Sequence, residues 1–339
     1  MVIMMNLPKT VNWVDGKLIL VDQRRLPDEL VFIECNSVDS VADAIRSMAV
    51  RGAPAIGVAA AFGLAIAARS GKIEEVRKAA DILRSTRPTA VNLFWAIDRV
   101  MRAVESSDDI ARAAEEEAIR IMEEDIETNR RIGEIGSSLI DDGMRIMTIC
   151  NAGSLATVYY GTALAPIYVA WENGKKVEVI ALETRPVLQG ARITAFELMH
   201  AGIPVKLIVD GAAGYVMRRI GVDLVLVGAD RILSDGTVYN KIGTYNLAVL
   251  AKRHKIPFYS VAPTSTFDLR SRREDVRIEQ RPAEEVTKIR GVRIAPDGVD
   301  VINPAFDETP PDLLTGIITE KGIIRRPFRK SIRKILIDH

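Results

Sequence analysis

Apolar residues follow two different rhythms along this chain, and the change between them divides it. Short β-type segments at Lys17–Val21 and 30–34 flank the turn-like Leu26-Pro27-Asp28, which predicts a small sheet. From Ser37 the period lengthens. Ser37 can cap a helix in which Val41, Ile45 and Met48 recur at helical spacing, and that run stops near Arg51-Gly52-Ala53-Pro54. The following stretch, 53–68, is almost wholly apolar, yet it falls short of the roughly 20 residues a bilayer span needs. Rich in Ala and Gly rather than Leu and Ile, it reads as a buried helix. Beyond the Arg87-Pro88-Thr89 break, the pattern predicts helices over 92–106 and 108–141. In the second of these, Glu115, Glu116, Glu117, Glu123 and Glu124 alternate with Arg112, Arg120, Arg130 and Arg131, while Ile119, Met122 and Ile126 form one stripe. It reads as a solvated helix joining two domains.

From Met144 the rhythm becomes strand, helix, strand, helix. Continuous β-rich apolar runs at 145–150, 177–182, 205–209, 224–227 and 258–261 alternate with helical segments at 155–172, 191–201 and 242–254. Strands apolar on both faces belong to a parallel sheet covered by helices on either side. The expectation is an α/β protein with a Rossmann-like parallel-sheet domain at 144–339 and a linking helix at 126–143. A smaller, mainly helical N-terminal domain at 1–125 carries a small antiparallel sheet. No internal repeat interrupts this plan.

Composition narrows the function. The chain has 339 residues, 48% of them hydrophobic, with 46 Lys+Arg against 45 Asp+Glu for a net charge of +1. A disordered chain is excluded, and a duplex-binding protein would need a surplus of cations to neutralise phosphates. Neither a nucleic-acid partner nor a membrane is expected. The opening MVIMMNLPKTVNW lacks the charged start and apolar block of a signal peptide, so a cytoplasmic location is expected. Cys35 and Cys150 stand far apart, and His200, His254 and His339 share no ligand spacing, so neither a disulfide framework nor a zinc site is supported. Only three glutamines, Gln23, Gln189 and Gln280, accompany many Glu, Lys and Arg, a balance that leans towards a thermophilic source.

In an open parallel sheet the ligand lies outside the carboxyl ends of the strands. Those ends run into Cys150-Asn151-Ala152-Gly153-Ser154, Glu183-Thr184-Arg185-Pro186, Asp210-Gly211, Gly228-Ala229-Asp230-Arg231 and Pro263-Thr264-Ser265-Thr266. If the Cys150 loop leads straight into the helix expected at 155–172, the helix start would hold an anion and favour a thiolate. The other reading of Cys150 is a buried thiol at a strand end; Cys35, within Phe32-Ile33-Glu34, reads as a packed thiol. Asp230 closes an apolar strand, where desolvation would keep it protonated for general-acid work. An N-cap, a turn carboxylate or an ion pair with Arg231 is equally open. Lys241 can reach a phosphate or be a surface lysine. Arg51 and Arg87 sit beside Gly or Pro breaks, where a guanidinium can fork onto phosphate or simply be solvated.

An ordered set of motifs weighs these options. Asp22-Gln23-Arg24-Arg25-Leu26-Pro27, VRGAPAIG from Val50, RPTAVNL from Arg87, ETRPVLQGARITA from Glu183, VGADRI from Val227, NKIGTY from Asn240, APTSTFD from Ala262 and Asn303-Pro304-Ala305-Phe306-Asp307 cover nearly the whole chain. Together they resemble the methylthioribose-1-phosphate isomerase family of methionine salvage. The resemblance implies an aldose-ketose isomerase that takes a sugar phosphate, works without a cofactor and pairs as a homodimer. By position it implies Asp230 as catalytic acid/base and Cys150 as the second catalytic residue, with Arg51, Gly52, Ala53, Arg87, Gln189, Asn240 and Lys241 binding substrate. The chain departs from the common pattern at Asn151-Ala152-Gly153-Ser154 and at Gly211 and Gly214, near the expected pocket. Two related readings are a ribose-1,5-bisphosphate isomerase and a non-catalytic subunit like those of the exchange factor for translation initiation factor 2. The Arg51 block and the DQRRLP start look like the methylthioribose enzyme, and joint retention of Cys150 and Asp230 suits an enzyme.

Overall fold

The computed structural model describes residues 7, 9–87 and 91–337. The described residues gather into two compact units: one contains those from Leu7 to Arg131 together with 152–165, and the other 132–151 and 166–337.

The first unit opens with an antiparallel sheet in the order β1 (Val11–Val14), β2 (Lys17–Val21), β3 (Phe32–Cys35). Strand β2 has the expected bounds and β3 begins two residues later than expected. Strand β1 is an addition: Asp15 (φ 49°) and Gly16 (φ 75°) join Val14 to its partner Lys17 as a tight hairpin whose twist demands positive φ at both positions. Helix α1 (Val38–Arg46) starts where Ser37 Oγ accepts the Ser40 N–H at 3.2 Å and Ser40 Oγ accepts the Ser37 N–H at 3.1 Å, a reciprocal cap. It ends before Met48, which is left-handed at φ 59°.

Helix α2 (Ala53–Ala68) is apolar on every side and almost entirely buried, as a helix without a polar face must be. Its small residues let neighbours approach: a Cβ on Gly57 would lie 2.8 Å from the Asn92 carbonyl oxygen. Phe62 stacks on Trp13 with ring centroids 4.6 Å apart. Around α2 pack α3 (Ile73–Arg84) and α4 (Val91–Glu105). The sequence pattern did not assign α3, because its buried stripe, Val76, Ala79, Ala80 and Leu83, is half alanine amid charges. Of the 87–93 motif, residues 88–90 lie outside the described residues, as do parts of the N-terminal segment and His339.

Helix α5 (Ile110–Ser137) is shorter than 108–141 and runs unbroken past residue 131. Its acidic face is less solvated than expected. Glu117 is buried and pairs with Arg99, whose guanidinium also lies over the Trp95 ring, and Glu115 accepts the Trp13 indole N–H at 2.7 Å.

The second unit contains β4 (Arg145–Thr148), α6 (Ala165–Glu172), β5 (Glu178–Leu182), α7 (Ala195–His200), β6 (Val205–Ile208), α8 (Ala213–Arg219) and β7 (Leu224–Val227). There follow β8 (Arg231–Leu233), β9 (Val238–Lys241), α9 (Thr244–His254), β10 (Phe258–Val261), β11 (Phe267–Asp268), α10 (Glu284–Thr287) and the hairpin of β12 (Lys288–Ile289) with β13 (Val292–Arg293). The chain closes with β14 (Phe306–Thr309), β15 (Gly316–Thr319), β16 (Gly322–Ile324) and α11 (Phe328–Leu336).

Seven strands form the main sheet in the order β16-β15-β10-β7-β4-β5-β6, parallel except where β16 pairs antiparallel with β15. Its five expected strands are present, and the mixed α/β class with a parallel sheet holds. A second sheet, β11-β8-β9-β14, carries the chain after β7. Val225, Val227, Met147, Ile180 and Phe258 form part of the core beneath the helices.

One expectation fails here. The helix foreseen at 155–172 exists only as α6, preceded by a three-residue 3-10 turn at Ser154–Ala156. Between them the chain doubles back. The N–H groups of Thr162 and Leu164 both donate to the Ala152 carbonyl, and Tyr160 (φ 67°) and Gly161 (φ 79°) are left-handed. A Cβ on Gly161 would sit 2.3 Å from the Cα of residue 153, so the glycine at 161 makes the crossing possible.

Candidate active site

Strand β4 lies between β7 and β5 with all three parallel, so their carboxyl ends open on one edge. Cys150 follows β4, Gln189 follows β5 and Asp230 follows β7. The second unit thus brings three of the expected residues to adjoining strand ends.

Cys150 is half-buried and takes φ 64°, a left-handed conformation that costs a residue with a Cβ roughly 1–2 kcal/mol. Its surroundings hold it there. The Cys150 N–H donates to Thr184 Oγ1 at 2.8 Å, and its carbonyl accepts from Thr194 Oγ1 at 2.6 Å. The sequence led us to expect the Cys150 loop to run straight into a helix; instead it enters the short turn at Ser154–Ala156, so the anion-holding helix start expected within this loop is not formed.

Asp230 also differs from expectation. It is exposed rather than desolvated, because β7 ends at Val227 and Gly228-Ala229 carry the chain out of the apolar layer. Arg231 forms its ion pair with Asp268 at 3.0 Å. The Asp230 N–H donates to the Tyr239 carbonyl at 2.9 Å, extending the β8–β9 ladder and setting Asp230 beside the Asn240 end of β9.

Asn240 is buried, with Nδ2 donating to Thr244 Oγ1 at 3.0 Å. The Lys241 ammonium donates to the Ala305 carbonyl at 3.0 Å and lies 4.6 Å from the Phe306 ring centroid, so it is a held cation and not a loose surface lysine. Asp307, which sequence reasoning did not single out, fixes the turn after them. Its carboxylate accepts the N–H groups of Gly243 at 2.7 Å and Tyr245 at 3.1 Å, at the start of α9. Burial pushes its pKa up from 3.8 to about 6, against the pull of those N–H groups and Lys241.

Gln189 is buried and its Oε1 has no hydrogen-bond partner among the described residues, an unsatisfied acceptor of the kind a ligand hydroxyl can serve. It precedes a π-turn, Gly190–Thr194, that opens α7 where an α-helix was expected at 191–201; such turns concentrate at functional sites. Gly190 is obligatory, since a Cβ there would stand 1.7 Å from the Leu182 carbonyl oxygen.

The remaining candidates belong to the first unit. Gly52 caps α2 at φ 91°, and a Cβ on it would lie 2.1 Å from the Ala156 carbonyl oxygen. No side chain caps α2, so the helix start at Ala53, flanked by Arg51, offers backbone N–H groups to an anion. Arg87 is half-buried beyond the end of α3. Cys35 is buried, its thiol pKa raised by that burial, as expected of a packed thiol. Among the described residues no cluster of three or more His, Cys, Asp or Glu is placed to hold a metal, and no helix is long and apolar enough to cross a membrane.

A parallel-sheet unit with Cys, Gln and Asp at neighbouring strand ends has the layout of an α/β ligand site, and the chain belongs to the Initiation factor 2 subunit family, whose pattern it matches over residues 49–326. Among its relatives, the methylthioribose-1-phosphate isomerase of Thermotoga neapolitana is 53% identical over 336 residues, covering 97% of this chain and 98% of that protein. The crystal structure of 5-methylthioribose 1-phosphate isomerase from Pyrococcus horikoshii OT3 superposes with a TM-score of 0.94 at 46% identity, covering 99% of this chain and 97% of that one. A structure titled translation initiation factor eIF-2B, subunit delta, from A. fulgidus gives 0.91 at 48% identity, covering 97% and 99%.

Proposed function

We propose that the protein is an aldose-ketose isomerase that converts 5-methylthioribose 1-phosphate to 5-methylthioribulose 1-phosphate in methionine salvage. The observation that carries this reading is near full-length similarity, at 53% identity, to a protein of that name. Cys150 and Asp230 at the ends of paired strands support it. In this reading the C-terminal Rossmann-like domain, 144–339, is the catalytic one.

The anomeric oxygen of the substrate is tied to phosphate, so the ring cannot open to an aldehyde as a free sugar does. Asp230 donates a proton to the ring oxygen and the C1–O bond breaks. Hydrogen then moves from C2 to C1, the C2 hydroxyl gives up its proton, and a ketose 1-phosphate results. Cys150 serves as base or stabiliser for that transfer. Asp230 is exposed in the chain itself, so its role as acid does not rest on strand burial. Gln189, Asn240 and Lys241 bind the substrate, as do Arg51, Gly52, Ala53 and Arg87, all matching the family's binding positions. The reaction needs no metal or organic cofactor.

The same reading makes the protein a cytoplasmic homodimer. Met199, Val209 and Tyr215, exposed by 71%, 59% and 66% near edge strand β6, support pairing through the second unit.

Phosphorus and carbon NMR of 5-methylthioribose 1-phosphate incubated with wild type and with Cys150→Ser tests the assignment. Conversion by the wild type alone is expected. Run in heavy water, full retention of the C2 hydrogen would count against an exchangeable enediol. The A. fulgidus structure keeps a translation-factor reading alive. No conversion of this substrate or of ribose 1,5-bisphosphate, together with a stoichiometric complex with initiation factor 2, would replace the enzyme reading.

A further inference from the structure

We infer that Thr184 and Thr194 are positioning residues that lock the backbone of Cys150, and that the π-turn at Gly190–Thr194 exists to deliver the second of them. The inference rests on the isomerase reading for its meaning, and on geometry for its content.

Each hydroxyl is committed in both directions. A threonine hydroxyl has one proton to give and lone pairs to accept with. Thr194 Oγ1 gives its proton to the Cys150 carbonyl at 2.6 Å and accepts from Asn151 Nδ2 at 3.1 Å. Thr184 Oγ1 gives its proton to the Leu182 carbonyl at 3.0 Å and accepts the Cys150 N–H at 2.8 Å. Both threonines are wholly buried, so water cannot substitute for either. The peptide groups on both sides of Cys150 are therefore pinned, and its Cα–Cβ direction with them.

The pins are themselves anchored to neighbouring strand ends. Asp210, after β6, accepts the N–H groups of Thr184 at 2.8 Å and Arg185 at 2.7 Å, fixing the loop after β5. That loop in turn fixes Cys150 after β4. On the other side Glu197, wholly buried in α7, accepts from the same Asn151 amide.

The π-turn supplies the register. It closes with the Ala195 N–H on the Gly190 carbonyl, one residue wider than an α-turn. Successive residues of a helix are about 100° apart around its axis, so deleting that extra residue would swing Thr194 away from Cys150. Gly190 permits the turn to press on the end of β5, where any side chain would strike the Leu182 carbonyl.

A role confined to packing would be met equally by valine, which matches threonine in shape, whereas a positioning role needs the hydroxyl. Thr194→Val is expected to lower kcat by about 10² while KM stays within about threefold, the size of effect that small misplacement of a reacting group produces. Thr194→Ser is expected to restore kcat to within about threefold of wild type, on the same reasoning. Independently of turnover, the rate of alkylation of Cys150 by iodoacetamide, followed by mass spectrometry with buried Cys35 as internal reference, is expected to change several-fold in Thr194→Val and not in Thr194→Ser. Thr184→Val should give the same pattern from the N–H side and replaces Thr194→Val if that variant does not fold. Wild-type kcat and alkylation in the valine variants, or serine as impaired as valine, would overturn the inference. If wild type itself fails to turn over the sugar phosphate, the isomerase reading falls while the alkylation series still decides the clamp.

Discussion

The first unit and the strand-end edge of the second are built on opposite rules. Around α2 nearly every side chain is apolar, small residues let helices close in, and local propensity agrees with burial. At the ends of β4 and β5 the chain does what isolated residues avoid: Cys150, Thr184 and Leu188 are left-handed, a π-turn replaces an α-turn, and Glu197, Thr184 and Thr194 are wholly buried polar groups. Conformations of that kind persist only where surrounding contacts over-determine them. The comparison teaches where strain is tolerated: the α2 core has little of it and the strand-end edge holds several strained or buried polar groups together, so substitutions in the two places should have different signatures.

The largest separation is expected between Asp230→Asn and Phe62→Ala. Asp230 is exposed, so Asn should leave the unfolding transition unchanged while turnover falls by about 10²–10⁴, the usual worth of a general acid. Phe62 is wholly buried against Trp13, and its truncation should cost about 3–5 kcal/mol in denaturant titrations. Near-wild-type turnover in Asp230→Asn would remove it from the acid role.

A smaller contrast sits at two glycines. Gly52→Ala must meet the Ala156 carbonyl at 2.1 Å in a left-handed conformation, and Gly190→Ala must meet the Leu182 carbonyl at 1.7 Å. Each should lose about 2–4 kcal/mol, since neither obstacle is a flexible side-chain tip. Gly190→Ala should also disturb Cys150 alkylation, whereas Gly52→Ala should reach it only through global unfolding.

These outcomes bear on what could be read from sequence. Period and burial recovered α1, α2 and the five parallel strands because each repeats one local preference over several residues. Helix α3 escaped because half of its buried stripe, Ala79 and Ala80, is alanine amid charges, and β1 because Asn12 interrupts the apolar run of Val11–Val14. Of the candidate site, the strand ends pointed to Cys150 and Asp230, the local pattern left Lys241, Arg51 and Arg87 open between phosphate and solvent, and the motifs added Gly52, Ala53, Gln189 and Asn240. The clamp was not legible, because Thr184 and Thr194 act through hydroxyl bonds to a backbone brought near by the sheet, and a threonine in a sequence carries no mark of that. Nor was the exposure of Asp230, which depends on how two residues, Gly228 and Ala229, leave the apolar layer. The excursion of 152–165 into the first unit has the same origin, resting on Gly161 crossing the backbone of residue 153 at contact distance.

The gentlest probe is pH. Each unit holds a carboxyl whose pKa burial raises: Asp125 in α5, from 3.8 to about 7, and Asp307, to about 6. Asp125 accepts the Val158 N–H at 2.8 Å and thereby tethers the excursion to α5. A carboxyl that holds its proton more tightly folded than unfolded makes the native state bind more protons, so its contribution to stability falls as pH rises from about 4 to about 7 and is flat above. The fall attached to Asp307 should be complete by about pH 6. An amide has no charge to desolvate, and its oxygen can still accept the Val158 N–H. Asp125→Asn should therefore melt close to wild type at pH 4, and about 2–4 °C higher at pH 8 for each kcal/mol by which it relieves the buried charge. Asp307→Asn should show its gain already by pH 6. A gain in Asp125→Asn that is equal at pH 4 and pH 8 would mean that the buried charge at that site is not what titrates, and that the tether serves α5 by geometry alone.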